Sequence, residues 1–556
     1  FSAVAKLEYS QNREEGGTLQ ILNCGPQIPP TQFGPNCNPG IFGVPGFEDD
    51  FDFNLSRGGV LPNGRPQEDL NDLELWNGSL NLSYDLANGH TITGVTGWVD
   101  YDNLRLVDVD SGPGVFALAE REEEFSQISQ EIRLESPGDQ RLTYMAGLYF
   151  ETAELDYVEN ANLNARPPIP PGPGGPTGVG PLPAGATSQG VFTQDQDTIA
   201  IFGSVSYEIT DSLNLILGAR YSEVETDVLK TQRTLTLDLV PAPQAVIDVV
   251  SSPFSPNSFD EHDLPGSRRE DSFTPSIELQ WYRIDSVMFY GSYNEATKSG
   301  GFDLQILFAS FALPTPQDPN GGYEFDTEEA EAIEIGAKTR LLDNTLTLNV
   351  AAFETTFENL QVSTFDASTA SFLTSNAGAA ESKGFEVEAR WLATDNLTLN
   401  ADATWLDAIY TDFSGAQCNA ADQAAFVPTP TMLQCTATID GNSLPFAPDF
   451  SGSVGFDFNL PIFNGLEFVS SGKMTFSTDY HPGQNPDPNE IQDGFEKFDL
   501  RAGVAGNDGQ WELAFVGKNL TDEETFRFIG DIPASTSNFA LIDRGQQLAV
   551  QLRVNW

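Results

Sequence analysis

The sequence predicts an all-β protein, a transmembrane antiparallel up-and-down β-barrel of the outer-membrane type. Apolar residues recur at every second position in many segments, and this is the side-chain period of a β-strand. Helical stripes at i, i+3 and i+4 are scarce by comparison. The segments are joined alternately by short turns and by long irregular connections, as in outer-membrane barrels. Counting the alternating segments gives about 18 strands.

The alternation is clearest in the final segment, "QLAVQLRVNW". It places five apolar residues on one face of a strand: Leu548, Val550, Leu552, Val554 and Trp556. The same step recurs at 80–86, 213–221, 385–391, 397–405 and 454–460. A lipid-facing strand needs such a face, while its alternate residues contact a wet lumen.

The connections separate a barrel from a soluble β-sandwich or solenoid, which also alternates. Short turns rich in Asn, Asp, Gly and Pro occur at 85–90, 136–141, 208–212, 283–286, 342–345, 393–396, 462–465 and 506–510. Between them lie pairs of strands joined by a longer connection. Tight turns on the periplasmic side and extended loops on the extracellular side are typical of outer-membrane barrels.

Composition argues against nucleic-acid binding and against transmembrane helices. The formal net charge is −54, from 81 acidic and 27 basic residues, so the chain should repel the phosphates of nucleic acids. The sequence contains no uninterrupted run of about 18 apolar residues, the length that would indicate a transmembrane helix. A barrel strand, however, needs only about 10 residues of alternating character to cross a membrane. The expected location is therefore the outer membrane, in contact with lipid and lipopolysaccharide.

Three motifs and the terminal strand carry a resemblance to a known family. They are "VMFYGSYNEATKSGGFD" (287–303), "ESKGFEVEARWLATDNLTLNADATWLDAIYTDF" (381–413) and "VGKNLTDEETF" (516–526). In order and spacing the sequence resembles the TonB-dependent receptors of Gram-negative outer membranes over essentially its whole length. The resemblance implies that the aromatic-ended strand from Leu548 to Trp556 is an assembly signal for the barrel-assembly machinery.

The resemblance also implies a larger molecule. Receptors of this family carry a plug domain behind a TonB-contacting segment, and their barrels have roughly 22 strands. The segment "FSAVAKLEYSQNREEG" is similar in style to about the fifth of these strands. We therefore expect residues 1–556 to be a partial barrel domain that lacks the plug and does not close a barrel of the family's size. A complete porin of about 18 strands is the alternative that strand parity permits.

Four cysteines fall into two close pairs, each inside one predicted extracellular loop: Cys24 with Cys37, and Cys418 with Cys435. In an oxidising compartment such pairs predict local disulfides that limit loop entropy. A metal site is the weaker hypothesis, because no CxxC motif or neighbouring histidine accompanies them.

Two further features are candidate ligand contacts. His481, in the loop sequence "DYHPGQNPDPNE", could face an incoming ligand, although an ordinary loop histidine is the simpler interpretation. The acidic run Glu48, Asp49, Asp50 and Asp52 could hold calcium through Asp49, Asp50 and Asp52, although such runs are more often solvated. No resident cofactor is indicated.

Enzymatic activity is not expected. Glu386, Glu388 and Arg390 alternate on one predicted strand, and lumen polarity explains them without acid–base chemistry. Neither an HExxH motif nor a GxSxG nucleophile elbow is present in the sequence.

The resemblance implies energy-coupled import, through contact with the TonB complex, of a scarce, bulky substrate such as a ferric siderophore or another metal chelate, cobalamin, a glycan fragment or an aromatic compound. Binding would involve extracellular loops. Two alternatives stay open: a passive porin, and a secreted β-rich adhesin or binding module. The adhesin would expose its Leu, Val, Phe and Trp faces to water, where so much apolar surface would aggregate.

Overall fold

The structure, a computed structural model, describes most of the chain: residues 1–15, 20–23, 59–60, 66–67, 70–108, 117–163, 186–243, 261–304, 323–366, 371–376, 378–426, 435–463, 465–487, 490–506, 509–531 and 538–555. No helix in these ranges is long and apolar enough to cross a membrane.

The described residues form β-strands and one short helix, α1 (Ala420–Ala425). In chain order the strands are β1 (Ser2–Glu15), β2 (Gln20–Asn23), β3 (Gly59–Val60), β4 (Pro66–Gln67), β5 (Leu70–Asp85), β6 (Thr91–Asp108), β7 (Ala117–Glu135), β8 (Leu142–Leu163), β9 (Ala186–Thr210), β10 (Leu213–Leu235), β11 (His262–Ile284), β12 (Val287–Lys298), β13 (Gly301–Phe302), β14 (Glu324–Phe325), β15 (Glu328–Leu341), β16 (Leu346–Glu358), β17 (Gln361–Asp366), β18 (Ser371–Asn376), β19 (Ala379–Thr394), β20 (Leu397–Asp412), β21 (Ser414–Gln417), β22 (Thr436–Thr438), β23 (Phe450–Phe463), β24 (Leu466–Ser477), β25 (Phe495–Gly506), β26 (Trp511–Lys518), β27 (Phe526–Asp531), β28 (Asn538–Ile542) and β29 (Gln547–Val554).

Eighteen strands form one sheet, which confirms the predicted fold class and strand number. They are β1, β5 to β12, β15, β16, β19, β20, β23 to β26, and β29. Each pairs antiparallel with the next sheet strand along the chain, from β1 with β5 to β26 with β29. Among the described residues no register pairs β1 with β29.

The six predicted short turns whose residues are all described lie at one end of this sheet, and the strands flanking 462–465 and 506–510 pair toward the same end. The turn at 85–90 joins β5 to β6, for example, and its Gly89 has a φ of 85°, a left-handed conformation that favours glycine. The strand ends that lead into the long connections lie at the opposite end, which is the extracellular end of a barrel.

The two faces of the sheet differ as the alternation predicts. Phe385 and Trp391 are exposed on the apolar face, while Glu386, Glu388 and Arg390 lie on the other, polar face. The two edge strands of the described sheet, β1 and β29, are exposed on both faces, so Leu7 is 68% exposed and Val550 is 75% exposed. An apolar surface of this extent in a sheet protein is suited to lipid.

The buried core lies on the polar face and among the long connections. One cluster comprises Tyr157, Phe192, Val228, Phe302, Tyr323 and Leu373. A second comprises Val362, Ala380, Tyr410, Phe413, Ala416 and Ile439. Both clusters lie toward the end of the sheet that bears the long connections, so packing there fixes the position of the loops.

Candidate functional site: a loop canopy at the barrel mouth

One side of the sheet is much taller than the other. β6 to β11 have 18 to 25 residues, whereas β12 has 12 and β29 has 8. About 10 residues suffice to cross a membrane. The outer halves of β6 to β11 therefore form a wall beyond the membrane, which we call the tall wall.

Five connections from the shorter side bond to one another through their described residues. They span 299–327, 359–378, 413–449, 478–494 and 519–546. We call their described residues the canopy. The tall wall and the canopy together form the candidate functional site.

The first of these connections folds onto the polar face of the tall wall as a hairpin of β13 and β14. The Phe302 ring lies 5.2 Å from the Tyr323 ring, and both side chains are buried. A Cβ atom at Gly266 would come within 2.5 Å of the Phe302 ring, so the absence of a side chain there makes room for the hairpin. The Tyr323 hydroxyl donates to the carbonyl oxygen of Leu264 at 3.0 Å.

Two cations of the tall wall contact the hairpin. Lys230 Nζ donates to the carbonyl oxygen of Leu304 at 2.6 Å. Arg268 reaches Glu324 at 2.8 Å and Asp326 at 3.3 Å, as well as Glu270 on its own strand at 2.9 Å.

Lys230 is nearly inaccessible, with 1% of its surface exposed. It lies 17 residues along β10 from the short turn, beyond the stretch of about 10 residues that crosses the membrane. Burial lowers the pKa of its ammonium group to about 8, although the negative charges of Glu159 and Asp303 oppose the shift. Beside it, Gln232 is equally buried, and its Oε1 accepts no hydrogen bond from the described residues.

Side-chain amides and backbone groups join the canopy connections to one another. The backbone N–H of Thr374 donates to Asp303 at 2.6 Å, and Asn376 Nδ2 donates to the carbonyl oxygen of Asp326 at 2.8 Å. Gln361 Nε2 donates to the carbonyl oxygen of Ser299 at 2.9 Å. The hairpin of β17 and β18 is thereby fixed against the hairpin of β13 and β14.

A disulfide lies in the third connection. The structure joins Cys418 to Cys435 with a Cα–Cα distance of 5.7 Å, inside one loop as the sequence predicts. Next to it, Asn419 Nδ2 donates to the carbonyl oxygen of Pro486 at 2.9 Å, and Asn485 Nδ2 donates to that of Gln417 at 3.1 Å. The disulfide loop and the 478–494 connection therefore pack as one unit.

The last connection completes the canopy. Asn538 Nδ2 donates to the Glu490 carboxylate at 2.9 Å, and both residues are buried. Burial raises the pKa of the Glu490 carboxyl to about 7; the Asn538 hydrogen bond opposes the rise, and the neighbouring charge of Asp487 adds to it. β28 also pairs with β2, which links the 519–546 connection to the connection between β1 and β5.

His481, the candidate ligand contact, lies in this canopy. Its carbonyl oxygen accepts a hydrogen bond from the N–H of Phe446 at 3.0 Å. Its Nδ1 atom is buried and has no hydrogen-bond partner among the described residues. A role in ligand binding stays a prediction.

Several sequence predictions fall outside the described residues: Cys24, Cys37, Trp556, and the acidic residues Glu48, Asp49, Asp50 and Asp52. No group of three or more His, Cys, Asp or Glu side chains within the described ranges could hold a metal ion.

Sequence reasoning missed Lys230, Arg268 and Gln361. Each occupies a polar position of an alternating strand or a loop, where any hydrophilic residue fits the pattern. One signal was present: the alternation of β10 continues to Lys230, far beyond the length that a membrane requires.

Comparison with known proteins decides the family. Residues 30–520, most of the chain, match the family model for the TonB dependent receptor-like β-barrel. The chain belongs to the TonB-dependent receptor family. It is accordingly an outer-membrane protein with a β-barrel fold.

Solved structures of TonB-dependent receptors share this fold at low sequence identity. The ferric yersiniabactin uptake receptor FyuA of Yersinia pestis has a TM-score of 0.64 at 15% identity, over 88% of this chain and 62% of its own. The siderophore receptor PiuA of Acinetobacter baumannii has a TM-score of 0.61 at 16% identity, over 99% of this chain and 71% of its own. The ferripyoverdine receptor of Pseudomonas aeruginosa has a TM-score of 0.60 at 14% identity, over 99% of this chain and 62% of its own. The chain thus spans 62% to 71% of the length of these three receptors.

Proposed function

We propose that this protein is an outer-membrane receptor that imports a scarce, bulky substrate, a ferric siderophore or a similar metal chelate, with energy supplied through TonB. The observation that carries the proposal is the canopy. Five connections of a barrel from a receptor family are bonded into one layer that leans on a tall wall at the mouth. A layer of loops over the mouth of a barrel suits the binding of a bulky ligand.

In this proposal residues 1–556 are the barrel domain, and the contact with TonB belongs to residues outside it. Substrate binds between the canopy and the tall wall, with His481 as one candidate contact. Lipid and lipopolysaccharide surround the apolar face, and the strand from Leu548 to Trp556 is the signal for the barrel-assembly machinery. The Cys24–Cys37 disulfide and a calcium site at Asp49, Asp50 and Asp52 stay predictions.

The test is uptake of radioactive iron by cells that carry the full-length protein as their one receptor for the supplied chelate. Uptake that stops when the proton gradient is collapsed is expected. Passive leakage of small sugars from liposomes containing the purified full-length protein would instead indicate a porin.

Two variants separate binding by the canopy from a general effect on the barrel. Gln361→Ala removes the hydrogen bonds to Ser299 and Asp326 and should raise the KM of uptake. The control is Gln127→Ala, which removes a hydrogen bond to Glu151 on the polar face of neighbouring strands away from the canopy. An equal effect of both variants would contradict a binding role for the canopy.

A further inference from the structure

The connection 478–494 buries two carboxyl groups inside the canopy. Asp487 is 0% exposed and Glu490 is 1% exposed. The backbone N–H of Glu490 donates to the carbonyl oxygen of Asp487 at 2.9 Å, so one turn of the chain holds both residues. A buried carboxylate loses its hydration and is ordinarily compensated by a cation or by hydrogen bonds. Two ionised carboxylates at this depth are therefore costly unless a cation lies beside them.

Each carboxyl group contacts a different neighbouring connection. The Glu490 carboxyl accepts the hydrogen bond from Asn538 Nδ2 in β28 at 2.9 Å. The Asp487 carboxyl accepts a hydrogen bond from the N–H of Ala421, in the disulfide loop, at 3.4 Å. On its own connection Glu490 packs against Gly483, where a Cβ atom would come within 2.6 Å of Oε2. The two carboxyl groups thus lie where three canopy connections meet: 413–449, 478–494 and 519–546.

Glu490 forms no ion pair with any residue in the described part of the chain. Lys497 and Arg527 bind the Asp543 carboxylate instead, at 3.3 Å and 3.1 Å. The charge that acts on Glu490 is the like charge of Asp487. The other titratable side chains that the structure describes on the three connections are at least partly exposed: Asp422, Asp440, Asp449, Asp479, Tyr480, His481, Asp493, Asp522, Glu523, Glu524 and Arg544.

We propose that Glu490, with Asp487 beside it, is a pH-operated latch of the canopy. When it is protonated, the Glu490 carboxyl is neutral and joins the 478–494 connection to β28 through Asn538. When it is ionised, it places a second negative charge beside Asp487 without a cation, and the three connections loosen where they meet. This inference rests on the proposed function for its consequence, because the latch then regulates access to the substrate site between the canopy and the tall wall.

The direction of the switch follows from its physical cause. Burial raises the pKa of the Glu490 carboxyl from 4.5 to about 7; the Asn538 hydrogen bond opposes the rise and the Asp487 charge adds to it. A carboxyl group whose pKa is raised by folding stabilises the fold while it is protonated. The latch is therefore fully closed below about pH 4.5 and opens as pH rises through about 7.

The experiment uses the full-length protein in detergent with EDTA, so that no divalent cation can neutralise the two carboxylates. Infrared difference spectra from about pH 5 to about pH 9 follow the band of the protonated carboxyl group. Hydrogen exchange is measured at each pH for peptides that cover α1, 480–487 and β28, with β10 of the tall wall as the reference. Each rate is divided by the rate in Glu490→Gln, which cancels the pH dependence of the exchange chemistry.

The three canopy peptides should respond together. The ratio of rates should be close to one at low pH and should rise at least about tenfold above neutral pH, since one pH unit changes the ionised fraction about tenfold. The ratio for β10 should stay close to one. A carboxyl band that titrates at about pH 7 should be present in the unmodified protein and absent from Glu490→Gln. A ratio near one at every pH, or no such band, overturns the inference.

Two further substitutions separate the latch from a general effect of charge. Asp487→Asn removes the neighbouring like charge, so the titration of Glu490 should move to lower pH. Asp493→Asn is the matched control, because it removes an exposed carboxylate from the same connection and should leave the titration unchanged. An equal shift in both variants would overturn the inference. Should Glu490→Gln fail to fold, Asp487→Asn still decides, because an unshifted infrared titration there overturns the inference too.

Uptake is not among these measurements, so the two proposals fail separately. A protein that imports no iron chelate can still carry a canopy that opens as pH rises. An active importer whose canopy is indifferent to pH would retain its function and lose the latch.

Discussion

An arginine introduced at Ala401 should distinguish the two faces of the sheet. Ala401 lies on the apolar face of β20, four residues after Leu397 at the short turn and four before Trp405. The Trp405 ring packs 4.7 Å from the Phe450 ring, in the position of an aromatic girdle. Ala401 therefore lies near the middle of the lipid-facing band.

The neighbouring residue gives a matched control one position away. Asn400 lies on the polar face, where its Nδ2 donates to Asp457 at 3.0 Å. An arginine at 400 can still reach Asp457 and remain in contact with water. The substitutions Ala401→Arg and Asn400→Arg thus add the same side chain to opposite faces of one strand.

The expected cost follows from depth in the bilayer. A lipid-facing arginine at the midplane costs about 2–4 kcal/mol, and one near the interface costs about 0–1 kcal/mol. Ala401→Arg should therefore lower the free energy of unfolding by about 3 kcal/mol, whereas Asn400→Arg should lower it by less than about 1 kcal/mol. Ala401→Leu controls for side-chain size and should cost little in lipid.

The assay is denaturant unfolding of the full-length protein in phospholipid vesicles. Equal losses for the two arginine variants would refute the assignment of faces. A larger loss for Asn400→Arg would mean that β20 is turned over relative to the membrane, because a shift of one residue exchanges the faces.

The canopy gives three further predictions. The pKa of Glu490 is raised from 4.5 to about 7, so the stability that its protonated carboxyl gives the canopy is complete below about pH 4.5 and is lost as pH rises through about 7. Hydrogen exchange of the canopy should therefore depend on pH, and Glu490→Gln should abolish that dependence. Exchange that is independent of pH in the unmodified protein would contradict this. Replacing Cys418 and Cys435 by Ser should destabilise the 413–449 loop by about 3 kcal/mol, as a bridge across a loop of this size does, and increase its protease cleavage; unchanged cleavage would argue against it. Phe302→Ala should cost the hairpin about 3–5 kcal/mol and speed its hydrogen exchange, while exchange equal to the unmodified protein would show that the ring does not hold it.

The sheet could be predicted from sequence because its signal is local. A period of two fixes which residues share a face, so Glu386 and Glu388 could be placed on the polar face without knowledge of any partner strand. The short turns carry their own chemistry in Asn, Asp and Gly. The strand number followed from these two signals together.

The site could not be predicted in the same way because its contacts are distant in sequence. Lys230 meets Leu304 across 74 residues, and Gln361 meets Ser299 across 62. A buried lysine and a lumen lysine obey the same alternation, so burial became visible only when the hairpin was placed over the strand. The 418–435 disulfide was an exception, since the two cysteines lie close in sequence and in one loop.

The two sides of the mouth differ in how they resist motion. The tall wall is paired to its outer edge, where Leu163 lies opposite Ala186 and Leu235 lies opposite Thr187, so moving it would break a continuous backbone ladder. The canopy is held mainly by separate side-chain contacts, each worth about 0.5–1.5 kcal/mol, or about 1.5–3 kcal/mol where a charge takes part. Elements of low local stability are the ones that move. Any opening of the mouth is therefore expected on the canopy side.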